Sequence, residues 1–267
     1  MHHTLGIIGT GAIAEAVVTG LCTSSQPPQR ILLSPRNTNR AQNLAGRFSQ
    51  VAIGADNQAV LDSSDWVVLA VRPQVVGPVM QELRFQSGHR ILSFMAGISI
   101  EQLKVLVKPA SNIVRMNPLP AIARHEGPIL MSPPSGEIAH LFQGLGSLIQ
   151  LEREDQLETF CAVTGLMAPY FGLLDQCTNW LASKGIDESQ AFDFVGALYR
   201  CLGQTPQDST EYDFGKVAQE HATPQGFNEH ALRELKRIGW FDDVSDVLDL
   251  LNRRLEGKAS FEDQVSE

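Results

Sequence analysis

The sequence predicts an α/β chain: an amino-terminal doubly wound sheet followed by an all-α part. Three observations carry this prediction. The apolar strand Leu5-Gly6-Ile7-Ile8 runs through a glycine turn, Gly9-Thr10-Gly11-Ala12-Ile13-Ala14, into a helix that opens Glu15-Ala16-Val17-Val18. Short apolar strands then alternate with helical segments through the first half, the pattern of a parallel sheet covered on both faces. From Asp155 onward the chain reads almost wholly as helix, with apolar residues three and four apart, as at Val244, Val247, Leu248, Leu251 and Leu255. The change of pattern places the boundary between domains 1–153 and 154–267.

The elements follow in order. After the opening strand and helix, Arg30-Ile31-Leu32-Leu33-Ser34 reads as the second strand and Asn37 to Phe48 as its helix. Trp66 to Val71 is an apolar strand ended by Arg72-Pro73, where proline suits the first turn of a helix. Arg90 to Met95 is another strand, followed by Ala96-Gly97, with Ser99 capping a short helix. Asn112 to Met116 is a further strand that leads into the proline-rich turn Asn117-Pro118-Leu119-Pro120. Gly127–Ser132 and Ser147–Leu151 finish the sheet. Gln204 to Glu211 reads as a polar linker, and Lys258 to Glu267 as a frayed tail.

Composition narrows the partners. The 267 residues are 43% hydrophobic with net charge -9, enough for a proper core and the wrong sign for nucleic acid or an anionic membrane surface. No run approaches the roughly 20 continuous apolar residues of a membrane span. No signal peptide is recognised, so the protein is expected in the cytoplasm. Cys22, Cys161, Cys177 and Cys201 are scattered without paired spacing, which predicts reduced thiols and no metal site. His2 and His3 carry no assigned role.

The glycine turn carries chemistry. Its first glycine makes the turn, its second lets backbone approach a pyrophosphate, and Ala14 lets helix and strand pack closely. Unpaired N–H groups at the helix start favour phosphate oxygens. The pattern thus predicts dinucleotide binding on a Rossmann-type sheet. The end of the second strand discriminates between cofactors. An acid there would hold a ribose hydroxyl and repel a 2′-phosphate, whereas this chain has Ser34-Pro35-Arg36-Asn37, with a planar guanidinium fork and no carboxylate. This favours NADP over NAD. The plainer alternative makes Arg36 a solvated loop residue and Asn37 a helix cap. Arg72, past the carboxyl end of another strand, lies on the ligand edge of such a sheet.

Taken together, the Gly9–Ala16 turn, Ser34–Asn37, Ala70-Val71-Arg72-Pro73-Gln74, Met95-Ala96-Gly97-Ile98 and Ala162-Val163-Thr164-Gly165 resemble pyrroline-5-carboxylate reductases over nearly the whole chain. The resemblance implies an NADP-binding domain and a helical domain through which subunits interlock as a homodimer or higher homo-oligomer. It also implies hydride reduction of a carboxylate-bearing cyclic imine. Cofactor contacts are then expected at Gly9, Thr10, Gly11, Ala12, Ile13, Ser34, Arg36, Asn37, Ala70, Val71, Arg72, Ala96, Gly97 and Asn117.

The substrate side departs from the family pattern. Where the family has Ser-Pro-Gly-Gly-Thr-Thr, holding the substrate carboxylate, this chain reads Thr223-Pro224-Gln225-Gly226-Phe227-Asn228. The Met-Pro-Asn-Thr-Pro-Ala turn beside the nicotinamide becomes Met116-Asn117-Pro118-Leu119-Pro120-Ala121, and Thr-Gly-Ser-Gly-Pro-Ala becomes Thr164-Gly165-Leu166-Met167-Ala168-Pro169. Three altered motifs argue against plain proline synthesis. Thr223 is expected to cap the next helix, with Pro224 in its first turn and free N–H groups following as a carboxylate site. Gln225, Gly226 and Phe227 would line it, Gln225 and Phe227 narrowing the space. Asn228 replaces the family's proton-donating threonine and bonds a ligand without supplying a proton.

Glu229, His221 or Tyr170 are left as candidate acids, histidine because it titrates near neutral pH. Each has a plainer role: Glu229 complements the helix dipole, His221 packs or faces solvent, and Tyr170 belongs to the core. Two other functions remain open. One is a non-catalytic NADP-binding sensor or assembly subunit. The other is a hydroxyacid-type dehydrogenase, for which Lys184 and Lys216 are the nearby lysines without a supporting motif.

Overall fold

The computed structural model describes residues 4–204 and 213–258. The chain runs β1 Thr4–Ile8, α1 Ala12–Thr23, β2 Arg30–Leu33, α2 Thr38–Arg47, β3 Val51–Ile53, α3 Asn57–Asp62, β4 Trp66–Leu69, α4 Val76–Gln81, β5 Arg90–Ser93, α5 Ile100–Leu106, β6 Asn112–Pro118, β7 Pro128–Ser132, α6 Gly136–Leu141 and β8 Ser147–Gln150. Helices follow: α7 Gln156–Thr164, α8 Met167–Ser183, α9 Glu188–Gln204, α10 Phe214–His221, α11 Phe227–Arg237 and α12 Trp240–Leu255. Short 3-10 turns occupy Pro73–Val75 and Pro120–Arg124. Two compact units result, Met1–Phe160 and Cys161–Glu267, dividing a little beyond the change of sequence pattern near Arg153.

In the first unit the eight strands form one sheet in the order β3-β2-β1-β4-β5-β6-β7-β8. The first six follow the doubly wound order, with the reversal of strand succession between β1 and β4. Alternation along β1 sends Leu5 and Ile7 to one face and Ile8 to the other. The first face buries Val17, Leu21, Leu44 and Phe142, from α1, α2 and the end of α6. The second buries Val60, Leu61, Val79 and Leu103, from α3, α4 and α5. Ser99 caps α5 in a full capping box with Gln102.

Several expectations are corrected. β3 and α3 are not foreseen, because three strand residues and six helical ones are too short to show a period. β7 runs antiparallel to β6, a direction that apolar patterning does not encode. The strand expected to stop at Met116 continues, so Asn117 and Pro118 pair with Leu130 and Ile129 instead of lying in a turn. The strand expected to reach Val71 ends at Leu69, leaving Ala70 and Val71 beyond it.

The helical unit also differs in detail. Leu251 of α12 closes on Gly165, where an added Cβ would stand 2.5 Å from its methyl carbon. Large apolar side chains stand open, among them Phe192, 70% exposed, and Trp180, 57% exposed. The helical stretch Gln156–Ser183 is, by length and composition, apolar enough to cross a membrane. The sequence shows no unbroken apolar run there because Glu158, Asp175 and Asn179 interrupt it. Amphipathic helices of a bundle have this same composition. Of the expected linker, Gln204 ends α9 and 205–211 lie outside the described residues, as do His2, His3 and 259–267 of the tail.

Candidate active site

The chain leaves β1 through Gly9, whose φ of 101° lies in the region only glycine adopts freely. A Cβ here would stand 2.6 Å from the Ala70 carbonyl oxygen, so β1 and β4 exit side by side only because Gly9 has none. The Gly9 N–H donates to Ser34 Oγ at 3.0 Å, and the Thr10 hydroxyl donates to the Ser34 carbonyl at 3.2 Å. No side chain caps Gly11 at the start of α1, so the first-turn amides lack side-chain partners. Beside them lies a hollow of about 650 Å³ lined by Gly9, Thr10, Gly11, Arg36, Asn37, Thr38, Asn39, Arg40, Ala70, Val71, Arg72 and Val75. Three arginines and no carboxylate line it, which is the donor set an anionic dinucleotide phosphate requires.

The expected contact residues divide by role. Ala12 and Ile13 form the exposed and half-buried start of α1. Ser34 is 1% exposed, and its Oγ accepts the Gly9 N–H and so holds the glycine turn. Asn37 caps α2, with Oδ1 accepting the Arg40 N–H, while its Nδ2 donates to the Thr10 carbonyl at 3.1 Å. The plainer alternative for Asn37 is thus present, and it braces the glycine turn as well. Ala96 and Gly97 are exposed past the carboxyl end of β5, Gly97 with φ 72°. Asn117 is half-buried near the carboxyl end of β6, which runs parallel to β5.

In the helical unit α11 begins at Phe227 with Gly226 as its cap, so Thr223 does not cap it and Pro224 precedes it. Gln225, with φ 62°, inserts a left-handed residue that delays the helix. Two of the amides expected to hold a carboxylate are occupied: Gln225 N–H donates to Glu229 Oε2 at 2.6 Å and Gly226 N–H to the Thr223 carbonyl at 2.8 Å. Glu229 therefore serves as a local clasp at the helix start. No side chain caps Gly226, which leaves the first-turn amides from Phe227 onward without a side-chain partner. Phe227 itself is 96% exposed and narrows nothing within this unit. Asn228 Nδ2 donates to the His221 backbone carbonyl at 3.1 Å, which ties the start of α11 to the end of α10.

Tyr170 lies on α8 against the rings of Phe171 and Tyr199 and is 43% exposed, so it is not the core residue of the plainer reading. Burial, then the nearby Cys177 thiol, pushes the Tyr199 phenol above its ordinary range. Lys184 lies over the Trp180 ring. Among the described residues no group of three or more His, Cys, Asp or Glu side chains comes together as a metal site. Sequence spacing singles out neither Arg40, paired with Glu15 at 3.0 Å, nor the buried Arg115. For Arg40 the signal was available, because the first turn of a helix after β2 must lie beside the glycine turn.

Comparison with known proteins agrees with this architecture. Residues 4–97 match the family described as NADP oxidoreductase, coenzyme F420-dependent. The chain is 26% identical over 261 residues to the pyrroline-5-carboxylate reductase of Pseudomonas aeruginosa, covering 94% of each. Its fold matches a pyrroline-5-carboxylate reductase from Coxiella burnetii with TM-score 0.83 and 19% identity, covering 97% of this chain and 100% of that one. It also matches a pyrroline carboxylate reductase from Plasmodium falciparum, solved with NADP bound, with TM-score 0.78 and 16% identity, covering 97% and 98%. With the glycine turn at its start and helices at its end, the chain is similar to pyrroline-5-carboxylate reductases over most of its length.

Proposed function

We propose that this protein reduces a carboxylate-bearing imine, similar to pyrroline-5-carboxylate, by hydride transfer from NADPH in amino-acid metabolism. The observation that carries the reading is the hollow beside Gly9–Gly11, lined by three arginines and no acid. NADPH supplies a hydride when bound; orientation does most of the rest. The first-turn amides of α1 hold the pyrophosphate, Arg36 the 2′-phosphate, and Arg72 the phosphate or adenine side. Ala96, Gly97 and Asn117 hold the nicotinamide end. The Plasmodium relative was solved with NADP, which supports the same cofactor here.

The first-turn amides of α11, at Phe227 and Asn228, receive the substrate carboxylate, with Thr223, Gln225 and Gly226 shaping the turn before them. His221 donates Nδ1–H to the Val217 carbonyl at 2.9 Å, which leaves Nε2 as the ring atom available to a ligand. A substrate that arrives as an iminium needs no such donor, so loss of the family's threonine at Asn228 is compatible with turnover.

We place the protein in the cytoplasm as a homodimer or higher homo-oligomer. Free thiols at Cys22, Cys161, Cys177 and Cys201 support a reducing compartment. Open apolar side chains such as Phe171 and Phe194 support association through the helical unit.

Incubation with NADPH and a panel of cyclic and acyclic imino acids tests the reaction by loss of absorbance of the reduced nicotinamide. At least one carboxylate-bearing member is expected to turn over. Tight NADPH binding with no turnover across the panel would leave the sensor or assembly reading instead.

A further inference from the structure

Among the described residues Arg115 is the one charged side chain that is buried, at 6% exposure. Its guanidinium is engaged at both terminal nitrogens: Nη1 donates to Glu154 Oε1 at 2.6 Å and Nη2 to Glu158 Oε1 at 2.9 Å. The same Glu154 Oε1 accepts the Ile100 N–H, the first amide of α5, at 2.7 Å. One carboxylate therefore ties β6 to the segment that follows the Ala96–Gly97 turn. On the strand ladder Arg115 is paired with Ser93 of β5, two residues before Met95 and the turn. Along β6 it stands two residues before Asn117, so the two side chains leave the same face.

Such an arrangement is a poor device for stability. Taking the guanidinium out of water costs about as much as its attraction to the two half-buried carboxylates returns, and apolar side chains of like size often replace buried ion pairs without loss. A charge buried at a ligand edge fixes geometry instead: forked donors define the angle as well as the distance. We infer that Arg115, acting through Glu154, is a positioning residue that sets the Ala96–Gly97 turn against Asn117 and so fixes the plane of the nicotinamide ring. This rests on the dinucleotide reading of the same edge. The side-chain bonds of Arg115 run to Glu154 and Glu158, and it does not line the hollow of the three arginines, so it governs where the ring lies and not how tightly the adenosine half is held.

The test uses the full chain and separates the two halves of the cofactor. The variants are Arg115→Met, Arg115→Lys and Glu154→Gln; the last keeps an oxygen for Ile100 and the side-chain volume, and so guards against a simple failure to fold. Affinity for 2′-phospho-ADP-ribose, which has no nicotinamide, is expected to stay within about two-fold of wild type, since distant sites act independently. The fluorescence change of NADPH on binding, a signature of the ring's surroundings, is expected to be lost in Arg115→Met and Glu154→Gln and partly kept in Arg115→Lys. Turnover is expected to fall roughly 10- to 100-fold with little change in the KM for NADPH, the mark of a misplaced reacting centre.

Wild-type fluorescence and turnover in Arg115→Met and Glu154→Gln would overturn the inference. So would a parallel loss of 2′-phospho-ADP-ribose affinity, which denotes general loosening. If the wild type reduces no imine, the functional reading fails while the fluorescence comparison still decides this one. A wild type that binds no NADPH overturns both.

Discussion

Replacing Gly9 by alanine is expected to weaken NADPH binding by roughly 100-fold or more, because both backbone and space forbid a side chain there. At φ 101° an L-residue is strained by about 1–2 kcal/mol. The new Cβ would stand 2.6 Å from the Ala70 carbonyl oxygen and 2.7 Å from its carbon, both backbone atoms that no rotamer change moves aside. Relief requires β1 and β4 to part at the point where the hollow begins, and it shifts the Gly9 N–H from Ser34 Oγ. About 3 kcal/mol of combined strain corresponds to roughly two decades of affinity. Calorimetric titration of the folded variant measures it. Unchanged affinity would mean the phosphate does not lie against this turn.

The second large effect is on cofactor choice. Arg36→Glu is expected to raise the Kd for NADPH roughly 10- to 100-fold, the range for losing charge-assisted hydrogen bonds, while leaving NADH within about three-fold. The reasoning is local. Arg36 is exposed on the rim of a hollow that has no acidic side chain, where a dianionic 2′-phosphate finds a fork of donors and a new carboxylate would repel it. Arg40 is a weaker candidate for the same work because Glu15 already holds it at 3.0 Å. The ratio of kcat/KM for NADPH and NADH checks this. An unchanged ratio would return Arg36 to the role of a solvated loop residue.

How much of this was legible in the sequence depends on whether the signal is local. The Gly9–Ala14 turn is a local pattern, and the strand before it and helix after it are long enough to show their periods, so the edge proposed to bind phosphate can be read directly. The Ser99 capping box is equally local. Ser34 and Asn37 were placed on the right edge, but their bonds run to Gly9 and Thr10 across 25 and 27 residues, which no spacing rule reveals. Arg115 is hidden for the same reason: its carboxylates lie 39 and 43 residues away.

At Thr223-Pro224 the local rule itself misleads. The dipeptide looks like a cap and first turn, yet the left-handed Gln225 postpones the helix to Phe227, and the displaced Glu229 takes an amide assigned to the ligand. The role of Asn228 follows from family resemblance alone, and the structure adds to it a bond to the His221 carbonyl.

The central claim is that a nicotinamide held at the Gly9 edge passes hydride to the carbon of an imine. NADPH carrying deuterium at the transferred position of nicotinamide C4, incubated with pyrroline-5-carboxylate and the purified protein, tests this directly by mass spectrometry. The account predicts one deuterium on the former imine carbon of the product and none retained in the oxidised cofactor. Product formed without the label, or no product from this or any other carboxylate-bearing imine, would contradict it.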